Sequence, residues 1–239
     1  LLPDSGSASI ENLDVVKDYK EIRKILGYMP GKFSLYEDLT IEENLEFFAS
    51  VFNTTVAENY HLIKDIYIQI EPFKNRRAGK LSGGMKQKLA LCCALIHKPR
   101  VLFLDEPTTG VDPVSRKEFW EILQRLKLQG ITMVVATPYM DEAALCDRIA
   151  LIQHGKILSI DTPENISNSY PDAVFEVKAG RTSAVLKALE NFDQKKNVYA
   201  YGEFVHVTFD KNEISSESKI IEYLKKEGFE NIEIIPIKA

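Results

Sequence analysis

The sequence has no run of about 18 or more apolar residues, which is the length that a helix needs to cross a bilayer. It also has no basic-then-apolar start of the kind that directs secretion. Cysteine is scarce, with 3 residues, and none stands at a zinc-type spacing from the 4 histidines. These absences predict a reducing, cytoplasmic compartment, and they restrict any membrane association to the surface of the bilayer.

An excess of basic residues is also missing. The chain has 30 Lys and Arg against 35 Asp and Glu, which gives a net charge of -5. Proteins that bind nucleic acid usually carry a basic excess on one face. We therefore predict that nucleic acid is not a partner.

The chain of 239 residues, 45% of them hydrophobic, is long enough for one large core or for two smaller domains. Thr40 followed by Glu43 forms a capping box, and apolar residues at helical spacing come directly after it. A second helical pattern extends this region, so we predict a helical insertion over about 40–97. From about 84 to 146, helices alternate with short apolar strands, which indicates an α/β fold with a parallel sheet.

The pattern restarts after Pro171. Strand, helix, two strands, helix and strand follow in that order, which is typical of a small ferredoxin-like βαββαβ module. We therefore predict a main domain over 1–170 and a C-terminal accessory α+β domain over 171–239.

Two acidic residues follow a buried strand in the middle of the chain. The apolar run from Val101 to Leu104 leads into Asp105, Glu106 and Pro107. In a parallel sheet, such a strand delivers its carboxylates to the edge where ligands bind. Because Mg²⁺ prefers few protein oxygens, we predict that Asp105 holds the metal and that Glu106 acts on the attacking water. The same residues are also compatible with an acidic strand end before a proline turn.

A second candidate site lies upstream, where Ser82, Gly83 and Gly84 open a predicted helix. Free N–H groups and the positive end of the helix dipole suit a phosphate at this position. Glycine also lets the backbone approach an anion closely. Taken alone, such a turn is more often an ordinary helix N-cap, here after the solvated basic stretch 74–80.

The order of these segments carries more information than either segment alone. The Ser-Gly-Gly turn is followed about twenty residues later by the acid pair, and then by Thr108 to Pro113 with Asp112. This arrangement closely resembles the ABC ATPase family over about residues 1–165. The segment 26–40 resembles the ABC-2 exporter branch of that family.

The resemblance implies a P-loop NTPase-like fold with a helical subdomain, and a head-to-tail homo- or heterodimer. In such a dimer, Ser82, Gly83 and Gly84 contact the ATP of the opposite subunit, and Asp112 lies in the loop that communicates between subunits. The implied function is an ATP-hydrolysing subunit that uses ATP and Mg²⁺ to energise transport, more often export, through separate integral membrane permeases. Its implied location is the cytoplasmic face of the membrane.

The chain departs from the family in three places. The phosphate-cradling motif G-x-x-x-x-G-K-[ST] does not occur in it. Because the sequence opens on Leu1 in turn chemistry, we expect that an N-terminal segment with this motif is missing. Gly31 stands where the family usually has a glutamine at the metal and water, and Pro138 stands where it has a histidine at the γ-phosphate.

Two alternatives remain open at this point. The chain is compatible with a degenerate half that does not hydrolyse ATP and lends its Ser-Gly-Gly turn to a competent partner. A non-transport ABC ATPase of translation or DNA repair is the other alternative, although such proteins usually show tandem cassettes, coiled-coil inserts or a basic surface. None of these features is visible in the sequence.

Overall fold

The computed structural model describes residues 3–32, 34–210 and 216–237. The chain divides into two compact units, residues 1–138 and residues 139–239. In the part of the chain that the structure describes, no helix is both long enough and apolar enough to cross a membrane.

The first unit combines a small parallel sheet with helices. Its first two strands form a short antiparallel hairpin. The elements in chain order are β1 (Ser9–Ile10), β2 (Leu13–Asp14), α1 (Tyr19–Ile25), β3 (Leu26–Met29), α2 (Ile41–Val51), α3 (Val56–Tyr67), two short 3₁₀ helices (Glu71–Phe73 and Ala78–Lys80), α4 (Gly83–Leu95), β4 (Val101–Asp105), α5 (Pro113–Leu128) and β5 (Thr132–Ala136).

The parallel sheet has the strand order β3, β4, β5. In its register, Met29 pairs with Leu104, and Asp105 pairs with Ala136. Leu102 and Leu104 on the central strand β4 are buried, which explains why this strand is apolar until its last residue. The predicted α/β class is confirmed, and the carboxyl ends of all three strands meet at one edge.

The helical part begins where the sequence predicts. Thr40 with Glu43 and Thr55 with Glu58 both form complete capping boxes, at the starts of α2 and α3. Asn44 is fully buried, and its side-chain amide donates hydrogen bonds to the backbone carbonyls of the preceding loop. Helix α4 packs against α2, α3 and β3, so it connects the helical part to the sheet.

His97, just after α4, links that helix to the sheet and to α2. Its ring stacks on Phe52 with 3.7 Å between the ring centroids, and its Nε2 donates to the Leu26 carbonyl at 3.0 Å. The Nδ1 atom is buried, and no described residue forms a hydrogen bond with it. Burial therefore lowers the pKa of His97, and the hydrogen bond to Leu26 opposes this only in part.

This environment predicts a pH-dependent stability. Because burial lowers the pKa of His97 in the folded state, the unfolded state binds more protons, and stability is lost as the pH falls through the ordinary histidine pKa of about 6.5. We expect His97→Phe to weaken this loss between pH 7 and pH 5.5, even if its stability at pH 7 is lower. Urea unfolding, followed by the fluorescence of the single tryptophan Trp120, measures the free energy of unfolding at each pH. His61→Asn, on the exposed surface, is the control and should unfold like the wild type at each pH.

The second unit begins with a short helix and a hairpin. His154 and Gly155 both have positive φ (49° and 72°) and form the tight turn between β6 and β7. The elements are α6 (Met140–Ala143), β6 (Ile149–Gln153), β7 (Lys156–Asp161), α7 (Pro163–Ser169), β8 (Asp172–Lys178), α8 (Thr182–Glu190), β9 (Asn197–Tyr201), β10 (Phe204–Asp210), α9 (Ser216–Lys226) and β11 (Glu233–Ile237).

The last six elements form an antiparallel sheet with the strand order β11, β8, β10, β9 and with α8 and α9 in the connections. This βαββαβ arrangement confirms the predicted ferredoxin-like module. Its core is built from Val177, Leu189, Val207, Phe209 and Leu224, all of which have no exposed surface. The compact units divide between Pro138 and Tyr139, and the assignment of 1–170 and 171–239 as the two domains stays a prediction.

Candidate functional site

The acid pair lies at the carboxyl end of the central strand. Asp105 is the last residue of β4, and the side chains of Asp105 and Glu106 are both exposed. Glu106 has φ of 45°, a left-handed conformation that is uncommon for a residue with a side chain and that tends to cluster at functional sites. Its N–H donates to the Ala136 carbonyl of β5 at 2.8 Å, which fixes this turn to the sheet.

The carboxylate of Glu106 has a defined partner. The hydroxyl of Thr109 donates to Oε2 of Glu106 at 3.0 Å, and the N–H of Thr109 donates to the Glu106 carbonyl at 3.1 Å. Thr109 was not among the predicted site residues. The only available signal was its position, three residues after the acid, where a hydroxyl can reach back across a turn.

The two unusual positions lie at the same edge of the sheet. Gly31 follows β3, and a Cβ added there would lie 3.2 Å from the Asp105 carbonyl oxygen and 3.8 Å from Asp105 Oδ2 and from Glu106 Cβ. Pro138 follows β5 by two residues, and β5 is the other neighbour of β4. Any side chain at position 31 therefore starts beside both acids.

The Ser-Gly-Gly turn forms the start of α4. The Ser82 hydroxyl accepts a hydrogen bond from the N–H of Met85 at 3.3 Å, as an N-cap residue does. Ser82 and Gly83 are exposed, whereas Gly84 is buried. The first N–H groups of a helix have no partner within the helix, so this end presents donors to an external acceptor.

Asp112 caps the next helix. Its Oδ1 accepts a hydrogen bond from the N–H of Ser115 at 3.0 Å, at the start of α5. That bond holds the pKa of the Asp112 carboxyl below its ordinary value. The side chain is exposed, so within this chain Asp112 stabilises a helix end, and its role between subunits stays a prediction.

The starts of α4 and α5 lie in contact. A Cβ added at Gly84 would lie 2.6 Å from Ser115 Oγ, and one added at Gly83 would lie 3.3 Å from the Gly110 carbonyl oxygen. Only glycine fits position 84 without a shift of the neighbouring helix. The Ser-Gly-Gly turn is thus held against the loop that follows the acid pair.

Sequence reasoning missed one further residue at this contact. Gln87, one turn into α4, is fully buried, and its Nε2 donates to the Pro107 carbonyl at 2.7 Å. A signal for it exists in the sequence, because Gln87 stands two residues before a helical stretch that is wholly apolar, Leu89 to Leu95.

A cavity of about 790 Å³ lies between β3, α2 and α4. Most of its lining is apolar, and two basic side chains from α1 contribute to it. Its lining includes Arg23, Lys24, Met29, Leu35, Phe48 and Val51. Among the described residues, no group of three or more His, Cys, Asp and Glu side chains could hold a metal ion.

Comparison with known proteins gives one consistent family. A family model described as "ABC transporter" matches residues 1–109, which include the Ser-Gly-Gly turn and the acid pair. The probable multidrug ABC transporter ATP-binding protein YbhF of Escherichia coli (strain K12) is 42% identical over 171 residues, which are 71% of this chain and 30% of that protein. The Nod factor export ATP-binding protein I of Rhizobium sp. (strain N33) is 32% identical over 201 residues, which are 82% of this chain and 66% of that protein.

Solved structures agree with these sequence relatives. The cbiO1 protein from Clostridium perfringens, part of the cbiONQ transporter complex, matches with a TM-score of 0.61 and 25% identity, over 71% of this chain and 70% of that one. An ATP-binding subunit of an ABC transporter matches with a TM-score of 0.62 and 26% identity, over 70% of this chain and 71% of that one. The motifs, the fold and the relatives therefore agree, and the chain belongs to the family of ABC transporter ATP-binding domains.

Proposed function

We propose that this chain binds and hydrolyses ATP and thereby energises transport, in the direction of export, through separate membrane subunits. The observation that carries the proposal is the exposed acid pair of Asp105 and Glu106, held by its loop beside the Ser82–Gly84 turn in one chain. The names of relatives that serve multidrug transport and Nod factor export support the direction.

In this proposal, the two acids have different roles. Asp105 ends the strand with an exposed carboxylate, so it fits a hard cation such as Mg²⁺, which takes one or two carboxylates and keeps several waters. Bound Mg²⁺ would neutralise charge on the β- and γ-phosphates. Glu106 accepts a proton from the attacking water, and Thr109 orients its carboxylate.

The composite-site arrangement extends the proposal to a dimer. The Ser82–Gly84 turn presents helix N-terminal donors at an exposed position, where the γ-phosphate of a nucleotide held by the opposite subunit is the acceptor. Substitution of Gly83 tests this arrangement in a reconstituted transporter. Unchanged turnover in that variant would show that the turn takes no part in the reaction.

The cavity between β3, α2 and α4 is the proposed docking position for the membrane subunits. Its apolar lining and the basic side chains of Arg23 and Lys24 suit a short amphipathic helix with an acidic residue. A charge-reversing change, Lys24→Glu, should weaken co-purification with the membrane subunits. ATP turnover of the separate subunit should stay as it is.

The test of the proposed function is phosphate release by the full-length protein, measured with Mg²⁺ and with a chelator present. We expect turnover that requires Mg²⁺ and that changes when the membrane subunits are added. Turnover that never responds to them would favour a non-transport ATPase. No turnover under any condition would favour the degenerate half, which the residues at positions 31 and 138 make a specific alternative.

A substitution at position 31 further distinguishes an active ATPase from a degenerate half. Gly31→Gln would place an amide beside Asp105 and Glu106, where it can orient the attacking water, and we expect turnover to rise about threefold or more. Gly31→Ala is the matched control, because it adds the same Cβ without the amide. A wild type without turnover that gains it through Gly31→Gln would identify a degenerate half that a single change repairs.

A further inference from the structure

A single buried amide links the phosphate-contacting turn to the base. Gln87 lies in α4, one turn after Gly83, and has no exposed surface. Its Nε2 donates to the carbonyl of Pro107, the residue directly after Glu106, at 2.7 Å. These two residues are 20 positions apart in the chain, so the bond joins two separate elements.

This amide is not well suited to a role as core filling. Its Oε1 is buried, and no group in the described part of the chain donates to it. A buried polar atom without a partner is unfavourable, and methionine has a similar shape without any such atom. The half-satisfied amide is therefore better explained by the one bond that it makes than by packing.

The bond acts on a loop that is already short and constrained. Pro107 and Thr108 are buried, and Glu106 is fixed on its other side by its N–H, which donates to Ala136. A shift of α4 along its axis would therefore move the Pro107 carbonyl, and the turn at Glu106 would have to follow. The contact between Gly84 and Ser115 couples the same helix to the end of this loop.

We infer that Gln87 is a positioning residue that couples the place of Glu106 to the place of the Ser82–Gly84 turn in the same chain. The inference rests on the proposed function, in which the turn serves one composite site and Glu106 serves the other. When the turn closes on the partner's nucleotide, the amide carries the displacement of α4 to the base. Through Gln87, nucleotide binding at one composite site of the dimer thus affects the position of the base at the other.

Gln87→Met tests this inference in the full-length protein. It keeps the approximate volume and removes the donor, so we expect kcat to fall about tenfold, KM for ATP to stay within about twofold, and the Hill coefficient to fall towards 1. Gln87→Glu keeps the shape but places a carboxylate against a carbonyl, and its kcat should fall at least as far. The thermal midpoint of each variant shows whether the fold persists.

Lys86→Met is the control, because it also introduces methionine on the same helix, and the ion pair that it removes among the described residues is the one to the exposed Glu37. It should keep the wild-type kcat and Hill coefficient. A folded Gln87→Met protein with wild-type kcat and cooperativity would refute the coupling. A wild type without turnover in the same assay would instead refute the proposed function, and the inference would fall with it.

Discussion

The change Glu106→Gln should lower ATP turnover by about 100-fold or more while ATP binding persists. Glutamine keeps the size of the side chain and can still accept from the Thr109 hydroxyl, so the left-handed turn at position 106 need not move. It cannot accept a proton from water at neutral pH. Phosphate release and nucleotide affinity, measured on the same full-length preparation, separate the two effects.

The matched control for that change is Glu118→Gln. Glu118 lies in α5, is exposed, and pairs only with Lys88 among the ion pairs of the described residues. Glutamine at position 118 can still accept the hydrogen bond from Lys88, whose side chain is largely buried, so this variant should hydrolyse ATP like the wild type. Equal turnover in wild type and Glu106→Gln would assign the observed activity to another residue or to a contaminant.

The change Gly27→Ala should destabilise the first unit by about 3 kcal/mol, since overpacking at a site without free space has costs of this order. Gly27 is buried in β3, where a Cβ would lie 2.5 Å from the Ala94 carbonyl oxygen and 2.9 Å from Leu102 Cδ1. The backbone atom cannot move aside without shifting α4 from the sheet. Urea unfolding followed by Trp120 fluorescence reports on this unit, because Trp120 lies in α5.

Gly31→Ala is the comparison for the stability experiment. It lies four positions further along, after the same strand, and its closest neighbour would be the Asp105 carbonyl oxygen at 3.2 Å. We expect a loss below about 1 kcal/mol, because a shift of a few tenths of an ångström relieves this contact. If Gly27→Ala unfolds at the same urea concentration as wild type, β3 and α4 are not packed as closely as the structure has them.

Much of the fold follows from local pattern in the sequence. The capping box at Thr40 and the apolar run that ends at Asp105 each combine residue type with a fixed short spacing, and each was predicted where it occurs. The order of the predicted strands and helices after Pro171 was sufficient to predict the ferredoxin-like module. These features depend on neighbours within a few residues.

The missed features depend on contacts between distant segments. The bond from Gln87 to the Pro107 carbonyl joins residues of two elements, and nothing in the local sequence indicates which carbonyl the amide reaches. The space requirement at Gly84 likewise arises from Ser115 on another helix. The predicted roles in binding and hydrolysis stay predictions, because each of them involves a bound nucleotide or a second subunit. They concern Ser82, Gly83, Gly84, Asp105, Glu106 and Asp112.

The most direct test of the account mixes two inactive variants of the full-length protein. Gly83→Asp places a carboxylate where the γ-phosphate would bind, and Glu106→Gln removes the base, so each variant alone should have almost no turnover. In an equal mixture, half of the dimers contain one of each, and one site in such a dimer combines an intact Glu106 with an intact turn. We predict a clear recovery of turnover in the mixture, up to about a quarter of the wild-type rate, which is the value for two sites that act independently. No recovery on mixing, from two folded variants that still dimerise, would contradict the composite site and place the turn and the base at the same nucleotide.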